Sequence, residues 1–310
     1  DAKTGIASSG TVSVIDLAQQ KTISEIPVHL HPSGMAISPD NRLLFIANSN
    51  SDLISVIDTE SEKVTRTISS KPIDELPFGS TPNDLVVSPD GKTLYIANGG
   101  DNLITVIDLT DYRMKGLIPA GWFPGAVDIS KDGGTLYVVN LKGIGSRQEG
   151  LREKGYNTHD QTGSVSFIPV PGMETLEEYT VKAATNMRLP RINEFMNLPG
   201  VRENIVPVPT RPGEKSVFKH VIYIIKENRT YDQILGDMPQ GNGDSTLTMF
   251  GRTITPNHHK LAEEFVLLDN TYCNGVLSAE GHQWTSQGYV TDYLEKAFPN
   301  WIRGYPWNGD

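Results

Sequence analysis

The residues best placed to do chemistry lie in the last third of the chain, where polar clusters follow apolar runs. Val221 to Ile225 is continuously apolar, and Lys226-Glu227-Asn228-Arg229-Thr230-Tyr231-Asp232 follows at once. A continuous apolar run predicts a strand buried on both faces of a parallel sheet, and ligands of open α/β sheets bind beyond the carboxyl ends of such strands. Oxygen ligands from Asn and carboxylates suit a divalent cation, which neutralises phosphate charge and lowers the pKa of a coordinated hydroxyl. A second apolar run, Phe265 to Leu268, leads into Asp269-Asn270, and Ser278-Ala279-Glu280-Gly281-His282 precedes a helical stretch predicted from Trp284 to Ala297. A serine at the entrance to a helix is surrounded by free backbone N–H groups that favour an anion. Thr285 offers a second hydroxyl near the first turn. His282 is lone, and reads either as a ligand or supporting group or as an ordinary structural histidine.

The elements needed to hold these groups are visible around them. Thr255-Pro256 opens a helix, with Thr as N-cap and Pro at the first helical position. Strand, helix, strand, helix is the order of an α/β domain with a largely parallel sheet, assigned to 218–310. Asn228 has a structural reading too, as the cap of the helix that follows it. His258 and His259 are expected to sit solvated at a helix start, since no carboxylate or histidine lies at zinc spacing. Upstream, residues 171–217 carry Pro171, Pro190, Pro199, Pro207, Pro209 and Pro212. That spacing predicts an extended connector, with room only for a short helix around Thr175–Tyr179 or Asn193–Asn197.

The first half repeats. GMAISPDNRLLFIAN ending at Asn48 recurs as NDLVVSPDGKTLYIAN ending at Asn98 and as GAVDISKDGGTLYVVN ending at Asn140. A second phrase follows each copy: LISVID at Leu53–Asp58, LITVID at Leu103–Asp108 and, after an insertion from Leu141 to Gln161, GSVSFI at Gly163–Ile168. The same phrase opens the chain as GTVSVID, Gly10 to Asp16. Ser-Pro-Asp-Gly at 88–91 joins two strands as a tight hairpin, and each repeat yields four short strands, the content of one propeller blade. The blades span 1–170: two orphan strands, two complete blades and one interrupted blade. A ring needs four or more, so further blades would have to come from upstream sequence or from another chain.

The YIAN and YVVN phrases together with SPDG make this half resemble the YVTN family of β-propellers. HVIYIIKENRTYDQILGD resembles the opening strand of the phosphoesterase family that includes bacterial phospholipases C and acid phosphatases, within the alkaline-phosphatase superfamily. TPNHHKLAEEFVLLDNTYCNGVLSAEGHQW is similar to the stretch leading to that family's nucleophile. The resemblance implies a multi-domain protein, all-β propeller blades followed by the start of an α/β alkaline-phosphatase-like domain. It implies Asn228 as a metal ligand with Glu227 beside it, Ser278 as the nucleophile, a divalent metal ion as cofactor, and a phosphate-ester small molecule or phospholipid headgroup as substrate. SAEGHQW departs from the usual Ser/Thr-x-Pro-Asn form, and the family's later Asp and His ligands are expected beyond Asp310. Propeller and phosphoesterase are paired in bacterial extracytoplasmic proteins, which implies a periplasmic or secreted location.

Composition narrows the partners. Hydrophobic residues at 37% and charged residues at 21% are those of a folding chain. The 37 acidic against 27 basic residues leave a formal charge of -10 with no basic cluster, which disfavours nucleic acid. Cys273 is single, so no internal disulfide forms. No apolar run is long enough to cross a bilayer. Two functions are therefore expected to compete: metal-dependent hydrolysis of phosphate mono- or diesters through Ser278, or a protein- or glycan-binding propeller carrying a truncated or vestigial phosphoesterase fold.

Overall fold

The computed structural model describes residues 8–144, 162–197, 205–209, 214–271, 275 and 278–297. The chain divides into two compact units, Asp1–Gly200 with Gln287–Asp310, and Val201–Ser286.

The first unit is built from four antiparallel sheets of two to four strands, as blades require. The first pairs β1 (Gly10–Asp16) with β2 (Lys21–Val28). The second is a meander of β3 (Pro32–Ile37), β4 (Leu43–Asn48), β5 (Leu53–Asp58) and β6 (Lys63–Ser69). The third repeats it with β7 (Pro82–Val87), β8 (Thr93–Asn98), β9 (Leu103–Asp108) and β10 (Arg113–Pro119). The fourth has β11 (Pro124–Ile129), β12 (Thr135–Asn140) and β13 (Ser164–Pro169). Most of the insertion before β13, 145–161, lies outside the described residues.

Each hairpin between first and second strands is closed the same way. The hydroxyl of Ser38, Ser88 or Ser130 accepts the amide of Leu43, Thr93 or Thr135 at 2.9 Å. Asn41, Gly91 and Gly133 take the positive φ the turn needs, at 59°, 72° and 74°. The hydroxyls of Ser38, Ser88 and Ser130 hold the carboxyls of Asp40, Asp90 and Asp132 below the usual range.

Asn48, Asn98 and Asn140 are superposable in register. Each ends its second strand, opposite Pro32, Pro82 or Pro124 on one side and Leu53, Leu103 or Ser164 on the other. Each is fully buried and donates from Nδ2 to a hydroxyl of the third strand, Ser55 at 3.1 Å, Thr105 at 3.0 Å and Ser166 at 3.0 Å. Asn98 also donates to the carbonyl of Ser70 at 2.7 Å. Asn98→Ala is therefore expected to cost about 2 kcal/mol, because it removes two buried hydrogen bonds and leaves the Ser70 carbonyl only the longer bond from Thr105 Oγ1 at 3.3 Å. Hydrogen exchange of the blade amides measures this, and a loss below about 0.5 kcal/mol would remove the asparagine from the fold's supports.

Sheet stacks on sheet through alternating residues. Phe45, Ala47, Ile54 and Val56 of the second sheet share a buried cluster with Leu85, Val87, Leu94 and Ile96 of the third. Tyr95, Ala97, Ile104 and Val106 of the third do the same with Val127, Leu136 and Val138 of the fourth.

The proline-spaced connector is not extended throughout. α1 (Met173–Asn186) and α2 (Leu189–Met196) occupy its start, longer than the expected single turns. The reason is local: no proline falls between Pro171 and Pro190, and Leu176 and Ala183, two turns apart, give the helix one buried face. That face lies on β10. A Cβ at Gly116 would sit 2.6 Å from Thr180 Oγ1 and 2.7 Å from Leu176 Cγ, so glycine there permits the approach.

The helix expected from Trp284 to Ala297 is two. α5 (Ser278–Gln287) starts earlier and stops at Gly288, whose φ is 69°. α6 (Asp292–Ala297) belongs with the first unit. There Tyr289 donates to Asn50 Oδ1 at 2.7 Å, Asp292 lies 3.3 Å from His31 Nδ1, and Lys142 pairs with buried Glu295 at 2.5 Å.

In the second unit the two apolar runs are not strands. Val221–Ile225 makes no ladder, with Val221 and Ile222 86% and 87% exposed, and Phe265, Val266 and Leu268 are exposed as well. An apolar run becomes a buried strand only with hydrogen-bonded neighbours and a layer on each face, and the described residues of this unit supply neither. What orders the unit is short helices: α3 (Tyr231–Leu235), a single 3₁₀ turn at Ser245–Leu247 and α4 (Pro256–Glu264). Among the described residues, no helix is long and apolar enough to cross a membrane.

Candidate functional site

Glu227 and His282 come together in the second unit. His282 Nε2 lies 3.8 Å from Glu227 Oε2, with both side chains about half exposed. The contact brings the polar segment that follows Ile225 against α5. Ser278 is the first residue of α5 and His282 lies one turn later, on the same helical face. Thr285 is two turns from the helix start, about 10 Å along the axis at ~1.5 Å per residue. Its hydroxyl is engaged with its own helix, donating to the carbonyls of Gly281 at 2.9 Å and His282 at 3.0 Å.

Asn228 is exposed beside Glu227, and its main-chain oxygen accepts from Arg229 Nη1 at 2.9 Å. It does not cap α3. Thr230 does, in a capping box: its Oγ1 accepts the Gln233 amide at 3.4 Å while Gln233 Oε1 accepts the Thr230 amide at 3.1 Å. Thr and Gln three apart outcompete an asparagine two residues too early. Asn228 is thereby left without a capping role.

The histidine pair divides. His258 faces Lys226 Nζ at 2.6 Å. His259, expected in solvent, is fully buried, with Nε2 2.7 Å from Asp237 Oδ1 and Nδ1 2.8 Å from the Thr255 carbonyl. The hydrogen bond from His259 is the first cause that holds the Asp237 carboxyl below its usual range. Asp237 also accepts the Arg252 amide at 3.0 Å, and Arg252 pairs with Glu263 of α4. Sequence reasoning missed this network because its partners are 22 residues apart and share no motif. The only available signal was a histidine at i+4 from the helix-opening threonine.

Glu227 and Asn228 offer a carboxylate and an amide oxygen, the hard donors that a divalent cation takes, so they fit two of its six or more ligand positions. Among the described residues, no group of three or more His, Cys, Asp and Glu side chains is arranged to hold a metal ion. Cys273, the chain's one thiol, lies outside the described residues.

No family model matches the chain, and no curated protein is similar to it. Among solved structures it is similar to hydrazine synthase of Kuenenia stuttgartiensis, at 29% identity over 51% of this chain and 40% of that one, with a TM-score of 0.41. It is also similar to a functionally unknown protein of Desulfotomaculum acetoxidans DSM 771, at 24% identity over 43% of this chain and 42% of that one, with a TM-score of 0.34. The chain thus spans about two fifths of each. Neither superposition is close enough to carry an argument about activity.

Proposed function

We propose that this chain carries the nucleophile segment of a phosphate-ester hydrolase, with Ser278 as the attacking group and the blades as a recognition or scaffold module. The observation that carries the reading is the 3.8 Å approach of Glu227 to His282, which sets the segment named by the phosphoesterase resemblance beside the helix that Ser278 opens. The finer identities belong to the same reading: blades of a YVTN-type propeller, an alkaline-phosphatase-like fold for the second unit, and a periplasmic or secreted location.

Ser278 Oγ attacks phosphorus and loses its proton to solvent, the ester oxygen leaves with the bonding pair and takes up a proton, and water then cleaves the phosphoseryl ester to release phosphate from a monoester or a phosphomonoester from a diester. The serine is the first residue of α5, at the helix end whose N–H groups and dipole favour phosphoryl oxygens. Glu227 and Asn228 would hold a divalent ion, which when bound offsets phosphate charge and acidifies the attacking hydroxyl. Glu227 also meets His282, and so fixes the first turn of α5 relative to the segment that bears Asn228.

The test is turnover of an aryl phosphomonoester and a bis-aryl phosphodiester by the full-length protein, with chelator and then with divalent ions restored. Loss on chelation and recovery on restoration are expected. Absence of turnover for both ester classes under every divalent ion would sink the hydrolase reading and leave the protein- or glycan-binding propeller.

A further inference from the structure

Three sheets of the first unit end on one face, and residues 289–297 lie across it. Register fixes which end this is: Pro32, Pro82 and Pro124 open β3, β7 and β11 opposite Asn48, Asn98 and Asn140. His31 immediately precedes Pro32, Phe78 lies in the loop that leads to Pro82, and Asn50 and Lys142 follow Asn48 and Asn140 closely, so these side chains share that end. Each meets the segment. Tyr289 donates to Asn50 Oδ1 at 2.7 Å, and its ring lies 4.8 Å from that of Phe78. Asp292 Oδ1 lies 3.3 Å from His31 Nδ1, and Glu295 Oε2 pairs with Lys142 Nζ at 2.5 Å. Asp292 also meets Lys296 of its own helix at 3.3 Å.

The segment is held as a ligand is held. Val290 and Leu294 are 3% and 2% exposed, yet neither belongs to the buried apolar clusters that join the sheets to one another and to α1. The cores of the blades are complete without them. What fixes the segment is a tyrosine anchor, two apolar side chains and two buried carboxylates set against side chains that carry or can carry positive charge, the anatomy of an interface between chains. Buried ion pairs add little net stability once desolvation is counted, but they select a partner sharply. A helix as short as α6 does not hold itself in water. Gly288, with φ of 69°, gives the chain a joint where the segment begins.

We propose that this end of the blades is a docking face for an acidic amphipathic segment of a partner protein, Tyr-Val-x-Asp-x-Leu-Glu in pattern, and that residues 289–297 are a detachable strap that fills it in cis. The strap is autoinhibitory, because a partner segment binds only in the fraction of molecules whose strap is undocked. Charge sets the orientation: the two carboxylates, one turn apart on α6, meet His31 from one sheet and Lys142 from another. Ser278 and its chemistry play no part in it.

The probe is a labelled peptide of residues 288–297, GYVTDYLEKA, added to the full chain and read by fluorescence anisotropy, with hydrogen exchange on the chain alone. Leu294→Asp is expected to release the strap, so that amides 290–297 exchange at least about tenfold faster while Ile96 and Ile104 keep wild-type protection. The peptide then binds the Leu294→Asp chain saturably, and wild type at least about tenfold more weakly, because the strap competes. Lys142→Glu added to Leu294→Asp weakens binding at least about tenfold, and a peptide carrying Glu295→Lys recovers it. Lost protection at Ile96 and Ile104 in Leu294→Asp would make the strap part of the blade fold and overturn the proposal. So would strap amides that stay protected in both Leu294→Asp and Tyr289→Ala, or no binding to Leu294→Asp at the peptide's solubility limit. Equal binding of a scrambled peptide, equal affinity for wild type, or a Lys142→Glu loss that the charge-exchanged peptide does not recover overturns it too. A wild-type dimer that the peptide returns to monomer would make a second copy the occupant, and overturns the partner.

Discussion

Ser278→Ala in the full-length protein is expected to lower aryl phosphate turnover by at least about a thousandfold while leaving its unfolding transition in place. Removal of a nucleophile eliminates a covalent route, and such losses span several orders of magnitude where the nucleophile acts with bound groups as a unit. Alanine is well tolerated at a helix start that is not the cap itself, so the change in stability is expected to stay below about 1 kcal/mol. Thr285→Ala is the paired control. Its hydroxyl already donates to two carbonyls of its own helix, and it lies two turns from the N–H groups that would bind phosphate. Its turnover is expected to stay within a few-fold of wild type. A quench during turnover of a ³²P-labelled ester should leave label on the peptide containing Ser278. Near-wild-type turnover in Ser278→Ala would withdraw the nucleophile assignment, and loss in Thr285→Ala instead would move it.

What the sequence displays and what it conceals in this chain follow from the range of the interactions. The blades are legible because their determinants are local and repeated: a serine that closes the hairpin from five residues away, a positive-φ Asn or Gly, and an asparagine whose partner lies seven residues on in the two complete blades. Ser278 at a helix entrance is legible for the same reason. The approach of Glu227 to His282 is not visible in spacing, and only the family resemblance placed both in one region. Misreadings arise where a local rule meets a missing or distant partner. Prolines at 171 and 190 bracket a helix rather than forbid one, because the face of α1 is paid in burial against β10. The Val221–Ile225 run has the composition of a buried strand and lacks the neighbours that would make it one. His259 looked solvated because Asp237, whose carboxylate its ring meets, is far away in sequence. Nothing in sequence announces that Tyr289 will bond Asn50, 239 positions earlier.

The stability of the first unit is expected to fall by up to about 3 kcal/mol between pH 5 and pH 8, and Asp101 is the cause. Asp101 sits in the turn after β8, where Gly100 packs so tightly that a Cβ on it would lie 1.9 Å from the Gly79 carbonyl oxygen. Burial pushes the Asp101 carboxyl from the usual 3.8 up to about 7; the Ser80 hydrogen bond opposes the shift and the charge of Asp52 adds to it. Asp52 is itself buried, accepting the amides of Gly79 at 2.8 Å and Thr81 at 3.0 Å. The folded state therefore holds a proton that the unfolded state releases near pH 4. Stability from this group is full below that point, declines as pH rises toward about 7, and is gone above it. At ~1.4 kcal/mol per pH unit, the two units from pH 5 to about 7 amount to roughly 3 kcal/mol at most. Burial also raises the Asp84 carboxyl, which acts with the same sign. Asp40, Asp90 and Asp132 act with the opposite sign, and only in stronger acid, because their folded values are depressed. Asp101→Asn keeps the shape and a neutral group at the turn, so it should remove most of the decline and leave only the remainder due to Asp84. Hydrogen exchange at the buried amides of Ile96 and Ile104, corrected for intrinsic rates, reads the first unit alone. An Asp101→Asn protein that loses as much protection between pH 5 and pH 8 as wild type would show that this carboxyl is ionised in the fold and that the turn is wetter than its packing implies.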